Sequence, residues 1–155
     1  MIRALAFVLA LQITPVTALS TPLPGIDRTS LGPIVVRMND QAVWPGCLQW
    51  RADILTFMAT ALRNAGFKTI QETPKTNHAI LTVNVSAGHD PETDTCKGNF
   101  SALLSRTIWI QDGVESDIPL LLDVGGVLGP AQTIDTDLLN HLRKLVNHLK
   151  AAIAE

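Results

Sequence analysis

The side chains with the widest chemical range in this chain are two cysteines, Cys47 and Cys96, 49 positions apart. Two thiols can form a disulfide, act as a reactive pair, or ligate a metal. A redox pair sits close in sequence, and a four-thiolate zinc site needs twice as many sulfurs. Cys47 stands where a helix is expected to start, a position that can lower a thiol pKa. An even pair in an exported chain favours a structural bridge. Such a bridge closes a loop of about 50 residues, which chain entropy values at about 4 kcal/mol. The expectation is therefore a Cys47–Cys96 disulfide, with a reactive or metal-binding pair as the alternative.

His89, Asp90, Glu92 and Asp94 cluster just before Cys96. Alternating carboxylates ligate calcium, and an imidazole with carboxylates ligates zinc. Counted from Asp90, however, the sixth residue is Thr95 rather than glycine and the twelfth is Ser101 rather than glutamate, so the calcium-loop template fails. A solvated acidic loop is the expectation, and a metal at these four residues the alternative. His141 and His148 lie seven apart, two helical turns or about 10 Å, too far for one ion, and are assigned to a solvent face. His78 precedes a strand and shows no partner in the pattern. Gly125-Gly126-Val127-Leu128-Gly129 lacks both the lysine-serine ending of a phosphate loop and the GxGxxG spacing, and reads as a turn. No GxSxG elbow or HExxH motif occurs. Ser86, Ser101 and Ser105 are explained by strand alternation. Trp44, in a loop, could anchor a partner, or pack over the bridge.

The elements that must position these residues follow from periodicity. Pro33 to Met38 reads as a strand centred on Ile34-Val35-Val36. A helix is expected from near Cys47, with Trp50, Ile54, Phe57, Met58, Ala61, Leu62 and Ala65 on its core stripe and Gly66 as its cap. Phe67 to Gln71 is a short strand, and 73–77 a turn. Ala79 to Ser86 is a strand with Ala79, Leu81, Val83 and Val85 on one side. A polar connection over 88–98 leads to a strand over 101–111. Ile118 to Val124 reads as a last edge strand, broken by Gly125, Gly126, Gly129 and Pro130. A second helix runs from Asp135 with Leu138, Leu142, Leu145, Leu149 and Ala152 as its ridge, capped by Thr133 or Asp135. The expected fold is α+β, a two-layer sandwich. Its order is β-α-β-β-β-(β)-α, with two amphipathic helices on one face of a four- or five-stranded, mostly antiparallel sheet.

The first 18 residues have the layout of a secretory signal peptide: Arg3, an apolar run from Ala4 to Leu11, and Val16-Thr17-Ala18 as a cleavage site, with Ala18-Leu19-Ser20 as a second frame two residues later. The run is too short to cross a bilayer comfortably. Residues 19–32, with two prolines and two glycines, read as an extended arm before a single domain over 33–155. Cleavage would remove one base and leave 11 bases against 14 acids, a net charge of −3. That balance points away from nucleic acid as a partner. No later run reaches membrane-spanning length.

Asn64-Ala65-Gly66-Phe67, a short strand, and then His78-Ala79-Ile80-Leu81-Thr82-Val83 resemble the small βαβ-type domains of bacterial envelope assembly proteins. The lipopolysaccharide-transport lipoprotein and the N-terminal domain of the Tol-system propeller protein are of this kind. The resemblance spans about a quarter of the chain and implies a fold, not a function. The chain departs from several of those proteins in having no lipidation cysteine near its cleavage site. The functional expectation is a soluble exported protein, periplasmic or secreted, that binds another envelope component, with no enzymatic activity and no cofactor. The alternative is a small-ligand or metal carrier using His89 to Cys96, which needs Cys96 as a free thiol. A small hydrolase ranks third.

Overall fold

The computed structural model describes residues 26–71, 77–110 and 114–153. The expected signal segment 1–18, the start of the arm and most of the turn at 73–77 lie outside them. The rest of the arm is not extended, because Arg28–Leu31 forms a short helix, α1. Asp27 accepts a hydrogen bond from the Ser30 backbone N–H at 2.6 Å, while the Ser30 hydroxyl oxygen accepts from the Asp27 N–H at 3.1 Å. This reciprocal cap stabilises a single turn, too short to register as periodicity, and it buries Leu31 in the core.

The remaining elements are β1 (Ile34–Val43), α2 (Arg51–Asn64), β2 (Thr69–Ile70), β3 (His78–Asp90), β4 (Thr95–Ile110), β5 (Val114–Ala131) and α3 (Asp135–Ala152). The fold is α+β, and its sheet is mixed, in the order β2-β1-β3-β4-β5. β1 runs parallel to both β2 and β3, while β3, β4 and β5 form an antiparallel meander. The antiparallel part is the longer one, and the parallel part is the addition that β1 makes. β1 and β3 are joined through α2, and a helical crossover returns the chain in the same direction.

Two further boundaries differ from expectation. The polar connection over 88–98 is nearly all strand: β3 and β4 stay paired to Asp90 opposite Thr95, and only residues 91–94 turn. Asp94 takes a positive φ of 50° to close that turn, a conformation aspartate tolerates better than most residues. β5 also runs straight through Gly125, Gly126, Gly129 and Pro130. It lies at the sheet edge, where a proline need not donate to a neighbour. Register slips opposite β4 absorb the irregularity. Gly126 is there for space, since a Cβ would sit 2.5 Å from the Phe100 ring.

α2 stops as its sequence suggests. Gly66 at φ 93° donates to the Arg63 carbonyl, and Phe67 donates to the Leu62 carbonyl, the paired bonds of a Schellman ending. The buried stripe of α2 (Ile54, Met58, Leu62) and the ridge of α3 (Leu138, Leu142, Leu145, Leu149) share one core with alternate strand residues. Those include Ile34, Met38, Leu81, Val83, Phe100 and Leu104. The opposite strand positions are mixed: Val35 and Ile80 are buried there, while the Asn39 amide donates to the Asn84 side-chain oxygen, and the Ser86 hydroxyl to that of Asn99. Among the described residues no helix is long and apolar enough to cross a membrane.

Candidate functional site

The chemically distinctive residues meet at one end of the sheet, where β1 leaves it. The Trp44 N–H donates to the Ala87 carbonyl and extends the β1–β3 pairing by one bond. The chain then turns sharply: Cys47 donates back to the Trp44 carbonyl at 3.0 Å, with Gly46 at φ 93°. Proline followed by a positive-φ glycine at the turn centre is type II turn chemistry. That turn delivers Cys47 to Cys96 at the start of β4. The two are bonded, with their Cα atoms 5.5 Å apart and both side chains buried.

Trp44 itself is 57% exposed. Its indole stacks on His89, with centroids 6.4 Å apart and planes 19° from parallel. His89 faces Cys96 across the β3–β4 ladder, so the aromatic pair sits beside the bridge and leaves much of the indole in solvent. Trp50 was expected on the core stripe of α2 and is instead 46% exposed. The helix starts at Arg51, four residues later than expected, so Trp50 is its N-cap and lies outside the helical repeat.

The entry to α2 is held by a residue that the sequence pattern does not reveal. The Asp135 carboxylate is fully buried and accepts hydrogen bonds from the backbone N–H groups of Gln49 and Trp50, the latter at 2.8 Å. It therefore anchors the two residues that lead into α2 from the first position of α3, and it does not cap α3 itself, whose N-cap is Ile134. Ile134 in turn donates to the Cys47 carbonyl. The disulfide turn and both helix starts are thus tied at one point. Only the spacing of Asp135 from a helix start is visible in the sequence; its 85-residue reach to Trp50 leaves no local signal.

The acidic cluster resolves into turn chemistry. Asp90 accepts from the Glu92 backbone N–H at 3.0 Å and from the Lys97 ammonium at 3.4 Å. The Glu92 N–H, and secondarily Lys97, hold its carboxyl below the ordinary value of 3.8. Asp94 meets the His89 ring nitrogen at 3.1 Å, and Glu92 is exposed. The sulfur of Cys96 is consumed in the bridge, so it supplies no thiolate to a carrier site. Among the described residues, no three His, Cys, Asp or Glu side chains converge as metal ligands.

The other candidates lie elsewhere. His141, assigned to a solvent face, packs against Phe100 with ring centroids 5.0 Å apart, above Gly126, whereas His148 is exposed. His78 is fully buried at the start of β3. The Gly125–Gly129 run is strand, and Gly129 donates to the Asp137 carboxylate at 2.7 Å.

No protein-family model and no curated protein matches the chain. Among solved structures, it is similar to a PelC variant dodecamer from Paraburkholderia phytofirmans, at 15% identity over 87% of this chain and 95% of that one, with a TM-score of 0.42. An uncharacterized protein is similar at 12% identity over 84% and 92%, with a TM-score of 0.40. Likenesses this distant carry no argument about activity.

Proposed function

We propose that the chain is an exported, non-enzymatic protein that binds another component of the cell envelope, with Trp44 at the contact. The observation that carries this reading is the Trp44 indole, 57% exposed yet held by His89 and the bridged turn. A large aromatic fixed at low entropy cost is what a binding hot spot uses. Trp50, six residues later in the chain, is also 46% exposed. The disulfide supports export, because such bonds persist in oxidising compartments. Residues 1–18 act as the signal peptide and leave a soluble product in the periplasm or outside the cell. In this reading α2 and α3 form one layer of a two-layer sandwich, and the bridged end is where the partner docks.

The test is a photo-cross-linking residue placed at position 44 in the intact envelope, with one at the exposed position 148 as control. A discrete adduct at 44, absent at 148 and competed away by excess wild-type protein, is the expected outcome. Equal labelling at both positions removes the reading. Export is checked on the same sample: mass spectrometry should place the mature N-terminus between Leu19 and Thr21, and an intact Met1 would overturn it.

A further inference from the structure

Two turns meet at the bridged end, and His89 lies between them. On one side its ring nitrogen Nε2 meets the Asp94 carboxylate at 3.1 Å. On the other its ring lies along the Trp44 indole, the planes 19° apart. Asp94 closes the β3–β4 turn at a φ of 50°, a conformation that persists in a residue with a Cβ only where its surroundings hold it. Trp44 opens the turn that carries Cys47 to the bridge. Asp94, His89 and Trp44 thus form a chain of contacts with the imidazole in the middle.

The other charged groups at this end are engaged elsewhere. Asp90, at the end of β3, accepts from the Glu92 N–H and from Lys97 of β4. Arg51, at the start of α2, pairs with Asp40 of β1. At the start of α3, Asp135 faces the Gln49 and Trp50 N–H groups, and Asp137 the Gly129 N–H. Directly across the ladder from His89 is Cys96, whose sulfur is in the bridge and carries no charge. Among the described residues, Asp94 is the acid in ion-pair contact with His89.

Histidine gains or loses its charge within about pH 5 to 8, and both contacts answer to that charge in the same direction. The charged ring donates from both nitrogens, whereas the neutral ring donates from Nε2 in only one of its two tautomers. Charging the ring also adds Coulomb attraction to the Asp94 contact, and an aromatic face attracts a cation set against it. We propose that His89 is a pH-graded joint: protonated, it binds Asp94 and steadies the Trp44 indole for its partner, and as the pH rises it lets both contacts slacken. The Asp94 side chain is 89% exposed, so the effect is a grading of about two- to fivefold and not an all-or-none switch. The inference rests on the Trp44 reading for its consequence, since it regulates that contact; the joint itself is a property of the free protein.

The test follows the tryptophan indole N–H groups of the nitrogen-labelled protein by NMR relaxation from about pH 5 to pH 8, with no partner present. The Trp44 indole should gain mobility as the pH rises, with the midpoint at which the His89 ring carbons titrate. Trp50, which stacks on no ring among the described residues, should stay flat. His89→Gln should leave Trp44 at one mobility throughout. Asp94→Gly, which suits the positive φ and removes the carboxylate, should shrink the change by half or more; circular dichroism confirms that both variants are folded. In intact envelopes, a photo-cross-linking residue at the exposed position 45 leaves Trp44 in place. It should give about two- to fivefold more adduct at about pH 5.5 than at about pH 7.5, and equal yields in His89→Gln. A Trp44 indole that does not change with pH, an unchanged curve in His89→Gln, or equal adduct at both pH values overturns the proposal and leaves the Trp44 reading intact. No adduct at either pH overturns the Trp44 reading instead, and the indole titration then decides the joint alone.

Discussion

Asp135 is the side chain on which most of the bridged end depends. It is a fully buried carboxylate that accepts backbone hydrogen bonds at the start of α2. Asp135→Ala removes the acceptor of the Gln49 and Trp50 N–H groups, and the expected loss is about 1–2 kcal/mol in urea unfolding; Asp135→Asn, which keeps one acceptor, should lose less. Asp90 makes the complementary, solvent-side prediction. Hydrogen bonds from Glu92 and Lys97 lower its folded pKa below 3.8. A depressed carboxylate stabilises the fold above its unfolded pKa and loses that contribution as pH falls through the folded value. Asp90→Asn should therefore be less stable than wild type at neutral pH, and the two should converge as the pH falls below the folded value. Chemical denaturation across that range checks it. At this scale the sequence is a partial guide. The bridge between Cys47 and Cys96 was legible because only two thiols exist. The role of Asp135 was not, because a carboxylate serving a distant helix looks the same as one serving its own.

The helices were readable because burial repeats every three to four residues: Ile54, Met58 and Leu62 on α2, and Leu138, Leu142, Leu145 and Leu149 on α3, are all in the core. The strands were readable at their centres and misjudged at their ends. Glycine and proline in β5 look like breakers only if a strand needs a partner on both sides, and an edge strand does not. The β3–β4 turn was hidden for a related reason: polar residues on the solvent side of a hairpin have the composition of a loop. Gly98 shows how tight that hairpin is. A Cβ there would collide with the Ser86 carbonyl oxygen and with Ala87 across the ladder. Gly98→Ala should cost about 1–3 kcal/mol through the shift it forces. Gly88→Ala, where nothing lies within 4 Å, should be close to neutral. A matched pair of thermal melts separates a steric demand from a general intolerance of β propensity.

For the molecule as a whole, the bridge joins the end of the β1 turn to the start of β4, with α2, β2 and β3 between them. Cys47→Ser should cost about 2–5 kcal/mol by calorimetry. Cys96→Ser should match it, and the double variant should add little, since each single change breaks the same bond. The enclosed segment also sets how the molecule answers a pull on its two ends. Force applied at the termini acts on β1, β4, β5 and α3 but is short-circuited across the sulfurs, so α2, β2 and β3 bear no tension even after the rest has been drawn out. A separation of 49 residues corresponds to about 170 Å of extended backbone held in reserve. In an optical trap the oxidised chain should fall short of full extension by about that length, and adding a reductant while the chain is held taut should release it in one step.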